Sequence, residues 1–310
     1  GDRDVRALVY YGVDADDLTS YDVDVVRGDI TEPESLDGEV FEDVDEVVHC
    51  AGVNHPSYWH GVSRIHEVNA TGTKNLLSAG QEHGIEQFVY VSSIMAHGFN
   101  ESPETDWTPD METRPDTEYG RSKLRAEQHV RAFQRDHGIE YTIVRPCWYY
   151  GPRQPPRMAT LMQSIQGGRP IMFGDGTNRR SMMYVPSLVD LLIAILDRPE
   201  DARNEIYDVG DQHTYTTNQI YETMARYLDV EEVRPRRLRE PIPTLVGVAQ
   251  RIAERLDVHV RELHVGWEMA QDISCDPSKA MEDLDWSPPS RLDPGMETAI
   301  EWAREHGQVE

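Results

Sequence analysis

Short runs of β-branched and aromatic residues alternate with longer segments of helical spacing along the first half of the chain. These runs predict strands over residues 5–10, 22–27, 44–50, 87–92 and 141–145. Helical spacing predicts helices over residues 62–83 and 117–137, each followed directly by a glycine that can end it. Strands that alternate with helices in this way are typical of a parallel sheet with crossover helices.

The second half of the chain has a less regular pattern and no internal repeat. Its apolar spacing predicts helices over residues 158–166, 186–196, 216–228 and 244–256. Strands are predicted over residues 170–173 and 205–209, and residues 233–243 form a connection rich in proline and arginine. This half therefore adds a smaller, mixed α/β part to the parallel sheet.

Composition limits the class of protein. With 310 residues, 38% of them hydrophobic, the chain can bury a large core. A formal net charge of −26 disfavours nucleic acid and anionic membranes as partners, because both would be repelled. No apolar run approaches the roughly 18 residues that a membrane span needs, and residues 1–4 lack the basic start of a signal peptide. We therefore expect a soluble cytoplasmic protein.

Cysteine, histidine and lysine usage narrows the chemistry. Cys50, Cys147 and Cys275 are too scattered for a disulfide framework or a zinc site, and the histidines form no HExxH pattern, so we expect no metal. Lysine occurs only at positions 74, 123 and 279. Abundant acid with little lysine resembles the composition of proteins from salt-loving organisms, in which concentrated ions screen self-repulsion.

Tyr119 and Lys123 are the leading candidates for catalysis. They lie four residues apart in a predicted helix, so their side chains share one face. A nearby ammonium ion favours phenolate, so we expect Lys123 to lower the pKa of Tyr119 toward working pH. Ser93 follows a predicted parallel strand, at the sheet edge where ligands bind in such folds. The YxxxK spacing alone also occurs often by chance, as an ordinary pair on a helix surface.

The surrounding motifs resemble those of a known family. FVYVSSIMAHG contains Ser93, YGRSK contains Tyr119 and Lys123, and IVRPCWYYGP follows the next strand. Gly28-Asp29-Ile30, His49-Cys50-Ala51-Gly52 and Asn69-Ala70-Thr71-Gly72-Thr73 stand in the same order and at similar spacings as the family's motifs. This set resembles the extended short-chain dehydrogenase/reductase family, also called the NAD-dependent epimerase/dehydratase family, over essentially the whole chain.

The resemblance implies a role for each matching residue. Ser93, Tyr119 and Lys123 correspond to the catalytic triad, with Tyr119 exchanging a hydroxyl proton while hydride moves to or from nicotinamide. Cofactor contacts are implied for Tyr119 and Lys123 and also for Asp29, Ile30, Ala51, Gly52, Asn69 and Pro146. Substrate contacts are implied for Ser93, Trp148 and Arg180. NAD is the expected cofactor and NADP the alternative, since Tyr10 and Tyr11 supply no cation for a 2′-phosphate at the end of the first predicted strand.

Two departures from the family pattern leave alternatives open. The family opens with a strand, a GxxGxxG turn and a helix, whereas residues 1–5 match the end of that helix, so we expect roughly 30 residues, about one βα unit, to be absent. Either the sequence is a fragment of an ordinary enzyme or the unit is lost together with cofactor binding. Trp148 stands where sugar-nucleotide epimerases often carry asparagine, and RRSMMYVPSLVD resembles the hydroxysteroid-dehydrogenase-like branch.

We predict a doubly wound, parallel-sheet Rossmann-like domain, with its first strand absent, and a smaller C-terminal substrate lobe. The dinucleotide-binding domain is expected over residues 1–150, with 181–210 returning to it, and the lobe over 151–180 and 211–310. The leading function is an NAD(P)-dependent epimerase, dehydratase or dehydrogenase acting on a nucleotide-linked sugar. The alternatives are a hydroxysteroid-dehydrogenase-like reductase of a small alcohol or ketone, and a non-catalytic scaffold or sensor. A homodimer is expected through helices 62–81 and 117–134, which carry apolar positions beyond one inward stripe.

Overall fold

The computed structural model describes residues 3–36, 38–54, 61–289 and 291–310, whose elements follow the predicted alternation. Its strands are β1 (Arg6–Val9), β2 (Asp24–Arg27), β3 (Glu46–His49), β4 (Gln87–Val91), β5 (Glu140–Pro146), β6 (Trp148–Tyr150), β7 (Ile171–Phe173), β8 (Arg179–Tyr184), β9 (Glu205–Val209), β10 (Thr214–Thr216) and β11 (Arg236–Leu238). Its α-helices are α1 (Gly38–Phe41), α2 (Ser63–His66), α3 (Thr73–Glu82), α4 (Glu118–His137), α5 (Pro156–Gln166), α6 (Val185–Asp197), α7 (Pro199–Ala202), α8 (Thr217–Tyr227), α9 (Ile242–Arg255), α10 (Arg261–Met269), α11 (Ser278–Leu284) and α12 (Leu292–Glu305). Across the described ranges, no helix is both long enough and apolar enough to cross a membrane.

The largest sheet is parallel and has the strand order β3-β4-β5-β9. All five residues of β4 are buried, because helices cover both faces of the sheet. The register places Val91, the last residue of β4, opposite Val144 of β5, so both strands end at the same edge. The predicted α/β class with a parallel Rossmann-like sheet is confirmed.

The first two strands form a separate parallel sheet, β1-β2, beside this one. A groove of 780 Å³ lies between the two sheets and is lined on its facing sides by Ala7, Leu8, Val47 and Val48. Within the described residues, no backbone hydrogen bond joins β1 to β3. Among the described residues, β1 and β3 therefore face each other across the groove, with no backbone hydrogen bonds between them and no strand in between.

A second layer is built around the three-stranded sheet β10-β8-β6. Its core consists of methionine, tyrosine and aliphatic side chains from β6, β8, α5, α8 and α12. By contrast, α6 and β9 pack with β4 and β5 on the large sheet. Residues 185–209 therefore return to the large sheet, whereas β8 pairs within the second one.

The helices expected to form a dimer interface offer little apolar surface. None of the large hydrophobic side chains that are strongly exposed in the described residues lies on α2, α3 or α4. The extra apolar positions noted in the sequence are at least partly covered, as Val68 and Phe133 are by the core of the large sheet. The homodimer stays a prediction, and its apolar argument does not hold in this structure.

Candidate active site

Ser93, Tyr119 and Lys123 meet at the carboxyl edge of the large sheet. Ser93 follows the end of β4, and its hydroxyl accepts a hydrogen bond from the backbone N–H of Met95 (3.2 Å), which fixes the turn after the strand. Thr117 caps α4 by accepting from the N–H of Gly120 (3.0 Å), so the helix begins immediately before Tyr119. The three residues predicted from sequence thus lie on two neighbouring elements, the end of β4 and the first turns of α4.

The three side chains line one cavity of 260 Å³. The Ser93 hydroxyl interacts with the phenol of Tyr119 and opposes the rise of the Tyr119 pKa. Lys123 donates from Nζ to the carbonyl oxygen of Val91 (2.9 Å), and its ammonium group lies 4.9 Å from the centre of the Tyr90 ring. This anchoring holds the Lys123 ammonium between the end of β4 and the cavity.

The electrostatics of Tyr119 differ from the sequence prediction. Burial raises the pKa of Tyr119 above its ordinary value, and the hydrogen bond from Ser93 and the positive charge of Arg157 only partly oppose this. Lys123 is not among the groups that shift it, so the prediction that Lys123 lowers the pKa of Tyr119 is wrong for this structure. Burial instead lowers the pKa of Lys123 to about 8.

The loop after β3 passes directly against Lys123. A Cβ added to Gly52 would lie 3.2 Å from both Lys123 Nζ and Asn69 Oδ1, so a larger residue would require one of these side chains to shift. Asn69 is fully buried; it donates from Nδ2 to Ser122 Oγ (2.9 Å) and accepts from the N–H of Val53 (2.7 Å). Asn69 therefore positions the loop against α4.

The other predicted cofactor residues line the groove between the two sheets. Asp29 and Ile30 lie on its β2 side, and Ala51 and Gly52 lie on its β3 side. Gly52 also lines the catalytic cavity, as Cys50 does, so the groove and the cavity meet beside Lys123. Backbone and small side chains thus leave an extended track that ends at the catalytic residues, as binding of a dinucleotide requires.

A cation lies closer to the first strand than the sequence indicated. Arg64 lines the groove together with Tyr10, and its pKa is raised chiefly by a hydrogen bond to Glu67 and less by the charges of Asp29 and Tyr10. Tyr10 and Tyr11 themselves supply no cation at the end of β1, as the sequence indicated, but Arg64 of α2 lines the same groove.

The predicted substrate residues are placed differently from one another. Trp148, a predicted substrate contact, lines the cavity, and so does Pro146, which was predicted as a cofactor contact. Arg180 is almost fully buried and does not line it; its guanidinium stacks on the Trp148 ring at 3.9 Å and donates to the carbonyl oxygens of Glu268 (3.1 Å) and Gln271 (3.3 Å). Its second nitrogen, Nη1, has no hydrogen-bond partner among the described residues, and burial lowers the Arg180 pKa to about 10.

Three further cavity residues were missed by the sequence analysis. Arg157, from α5, lines the cavity with its guanidinium 4.7 Å from the Trp148 ring. His264 and Glu268, from α10, complete this wall, and the Trp148 indole N–H donates to the Glu268 carboxylate. No sequence signal pointed to these residues, because α10 carries no recognised motif and Arg157 stands in the proline-rich first turn of α5. Trp59 and His60, which follow the Ala51-Gly52 loop, lie outside the described residues.

Neither thiols nor metal ligands form a second centre within the described ranges. No group of three or more His, Cys, Asp or Glu residues there could hold a metal ion. Cys147 and Cys275 are free thiols whose sulfur atoms lie 3.3 Å apart in the core.

Comparisons with known proteins agree with this fold and arrangement. The sequence profile of the NAD dependent epimerase/dehydratase family matches residues 5–210. An uncharacterised protein of Sinorhizobium fredii, y4nL, is 33% identical over 315 residues, covering 98% of this chain and 86% of its own. UDP-glucose 4-epimerase of Vibrio cholerae is 29% identical over 298 residues, covering 94% and 85%. The crystal structure of the dTDP-glucose 4,6-dehydratase DesIV from Streptomyces venezuelae, with NAD and TYD bound, superposes with a TM-score of 0.78 at 23% identity, covering 99% and 89%.

The chain belongs to the NAD-dependent epimerase/dehydratase family, and it is an enzyme of that family. The prediction of NAD as cofactor is confirmed by this membership.

Proposed function

We propose that this protein oxidises and reduces a carbinol carbon of a nucleotide-linked sugar, with Ser93, Tyr119 and Lys123 as its catalytic residues. The observation that carries the proposal is their convergence on one cavity that is continuous with the groove between the sheets. We assign the cofactor to residues 1–150 together with 181–210, and the substrate to the smaller lobe formed by residues 151–180 and 211–310.

Each catalytic residue has one task. Hydride acceptance is the chemistry that NAD supplies when bound. As the C–H bond of the carbinol breaks, the hydroxyl proton passes to the phenolate oxygen of Tyr119, and the C–O bond becomes a carbonyl. Ser93 donates to the reacting oxygen, while Lys123, fixed by Val91, holds the ribose side of the groove. Asp29, Ile30, Ala51, Gly52, Asn69 and Pro146 shape the cofactor track.

The cations around Trp148 support an anionic substrate. Arg157 lines the cavity, and its buried Nε has no hydrogen-bond partner among the described residues. An unpartnered buried donor is costly, and a diphosphate could satisfy donors of this kind. UDP-glucose 4-epimerase of Vibrio cholerae carries a substrate of this class in its name. We therefore infer a sugar linked through a diphosphate to a nucleotide.

The catalytic assignment is tested by replacing Tyr119 with phenylalanine. Turnover of UDP- or dTDP-hexoses is followed as nicotinamide absorbance and as loss of deuterium from the reacting carbon. Because the substitution removes only the phenolic oxygen, we expect kcat to fall by about 10²-fold or more while the melting temperature is kept. Tyr141→Phe, on β5 outside the cavity, is the matched control and should retain activity.

The outcomes separate the alternatives. Near-normal turnover by Tyr119→Phe would show that the catalytic assignment is wrong. Reduction of steroid or small ketones, with no turnover of nucleotide sugars, would replace the substrate assignment and keep the catalytic one. Calorimetry with NAD and NADP measures how strongly the site prefers NAD, and absence of both binding and turnover would contradict the proposed function.

A further inference from the structure

Helix α9 exposes a continuous apolar face. The side chains of Ile242, Leu245, Val248 and Ile252 are 41%, 59%, 45% and 53% exposed. Their spacing of three or four residues places them within an arc of about 120° on the helix surface. Four large aliphatic side chains on one side of a fourteen-residue helix form a surface patch, which we call the α9 patch.

The α9 patch is not the face by which the helix packs on the protein. Gly247, Gln250 and Glu254 lie on the opposite side and are buried. A Cβ on Gly247 would lie 2.7 Å from the Trp267 indole nitrogen, so α9 packs closely on α10. The Glu254 carboxylate accepts a hydrogen bond from the N–H of Glu118 (3.2 Å), at the start of the catalytic helix. The helix thus packs on the protein through the face that carries Gly247, Gln250 and Glu254, and its opposite, exposed face is apolar.

Arginines surround the α9 patch in an otherwise acidic protein. Between residues 234 and 261 there are seven arginines and three acidic residues, a net charge of +4, against −26 for the whole chain. Arg239, Arg251, Arg255 and Arg261 are exposed, and none forms an ion pair within the described ranges. Arg255 lies at the edge of the apolar face, whereas the Arg251 guanidinium lies 5.3 Å from the centre of the Trp267 ring of α10.

We propose that α9 lies in the plane of an anionic membrane surface, with the α9 patch inserted at the boundary of headgroups and acyl chains. An apolar helix face flanked by cations has the composition of helices that bind membrane interfaces, where apolar burial and attraction to anionic lipid act together. Acidic residues elsewhere on the molecule oppose this binding only weakly, because charges beyond a Debye length of roughly 8 Å are screened at physiological salt. The sequence argument against membranes, which used net charge alone, misses this local reversal.

A membrane fits the α9 patch better than a second copy does. Pairing two α9 helices through this face about a twofold axis would bring Arg255 of both copies to the same interface, where like charges repel. An anionic lipid surface pairs with these cations. Since α9 contacts α4 and α10, docking would place these two helices, which both contribute residues to the cavity, near the membrane surface.

The test is flotation of the purified full chain with vesicles. We expect the parent to float with phosphatidylglycerol/phosphatidylcholine vesicles and not with phosphatidylcholine alone. Leu245→Glu with Ile252→Glu should reduce the bound fraction by about tenfold, because two apolar anchors are removed and the local positive charge is halved. The matched control is Val189→Glu with Ile193→Glu on α6, two residues of similar exposure (49% and 48%), which should float like the parent. Circular dichroism melts verify that both variants fold.

A second pair of substitutions isolates the charge. Arg239→Gln with Arg255→Gln should weaken flotation on anionic vesicles without changing the melting temperature. Equal flotation of the parent on neutral and anionic vesicles would overturn the proposal, as would no flotation, or equal loss of binding in the α6 control. A dimer that dissociates on Leu245→Glu/Ile252→Glu, seen by light scattering with no vesicle binding, would instead make the α9 patch a subunit interface. The assay does not depend on catalysis, so Tyr119→Phe should float like the parent even if the proposed function is wrong.

Discussion

Arg157 has two connected effects at the level of single residues. Its guanidinium lies in the cavity and lowers the pKa of Tyr119, which burial raises. The same charge is available to the anionic part of a substrate. Lys123, which the sequence suggested as the activating cation, is instead tied to Val91. In the proposed function, one cation from outside the YxxxK segment therefore both binds the anionic part of the substrate and opposes the rise of the Tyr119 pKa.

We expect Arg157→Gln to raise KM for a nucleotide sugar by about tenfold, since hydrogen bonds to charged groups contribute on the order of 1.5–3 kcal/mol. The ascending limb of the pH profile of kcat/KM should also move to higher pH, because less positive charge leaves the Tyr119 pKa higher. Arg153→Gln is the matched control: Arg153 is exposed and pairs with Asp17 (2.8 Å) on the surface. An unchanged KM and pH profile in Arg157→Gln would remove this residue from the site.

Lys123 gives a prediction about stability. Its pKa falls from 10.5 to about 8 on folding, so below pH 8 the buried charge costs roughly 3 kcal/mol of folding free energy. That cost is relieved as pH rises from 8 to 10.5, where the unfolded chain binds more protons than the folded one. Urea unfolding of the parent and of Lys123→Met, which is expected to be inactive, should show the parent gaining stability relative to the variant across this window. A constant difference between the two would contradict the shifted pKa.

Some of these residues could be predicted from sequence and others could not. Ser93, Tyr119 and Lys123 could be predicted because they stand in short motifs that can be recognised from local sequence alone. Arg157 and Glu268 reach the cavity from α5 and α10, and no local pattern encodes a contact between segments so far apart in sequence. Arg180 is the opposite case: its motif was recognised, but its guanidinium stacks on the Trp148 ring and does not line the cavity.

At the level of elements, one buried network fastens the catalytic helix to the sheet. Arg145 on β5 binds Glu127 of α4 through two nitrogens, at 2.9 and 2.7 Å, and lies 3.5 Å from Asp208 of β9. His97, in the turn after Ser93, also contacts Asp208 (2.8 Å). All four side chains are buried, so the network sets the distance between α4 and the carboxyl edge.

We expect Arg145→Met to lower the free energy of unfolding by about 3–5 kcal/mol, because two carboxylates remain buried without their cation. The matched control is Arg203→Met, whose ion pairs with Glu140 and Glu200 are exposed and should contribute less than about 1 kcal/mol. Urea is the suitable denaturant, since it leaves ionic strength unchanged. A loss for Arg145→Met no larger than the control's would show that the network does not hold the helix.

Element boundaries were predictable where local chemistry sets them. The predicted helix 117–137 is found as α4 because Thr117 caps it, and the predicted strand 205–209 is found unchanged as β9. Short strands such as β6 and β10 were missed, since three-residue strands form only when a partner such as β8 is present. The π-helical turn at Glu67–Gly72 likewise gives no periodic signal.

At the level of the whole molecule, the two parallel sheets and the groove between them set where a cofactor can lie. The groove is lined by aliphatic side chains of β1 and β3, such as Leu8 and Val47, and by charged side chains that include Asp29 and Arg64. The predicted cofactor residues Asp29, Ile30, Ala51 and Gly52 could be located from motifs that follow β2 and β3. That their strands are divided between two sheets could not, since it depends on long-range pairing.

Net charge gives the last prediction, which concerns salt. Twenty-six excess negative charges repel one another over a distance that grows from roughly 3 Å at 1 M salt to 10 Å at 0.1 M. The compact state holds these charges closest together, so removing salt should destabilise it more than the unfolded chain. We expect the melting temperature to fall steadily as potassium chloride is reduced from 1 M to 0.1 M. Sucrose at matched osmolality is the control, because it strengthens burial by exclusion without screening charge. A melting temperature that is flat or rises as salt is removed, or that sucrose restores in full, would show that self-repulsion does not govern the stability of this fold.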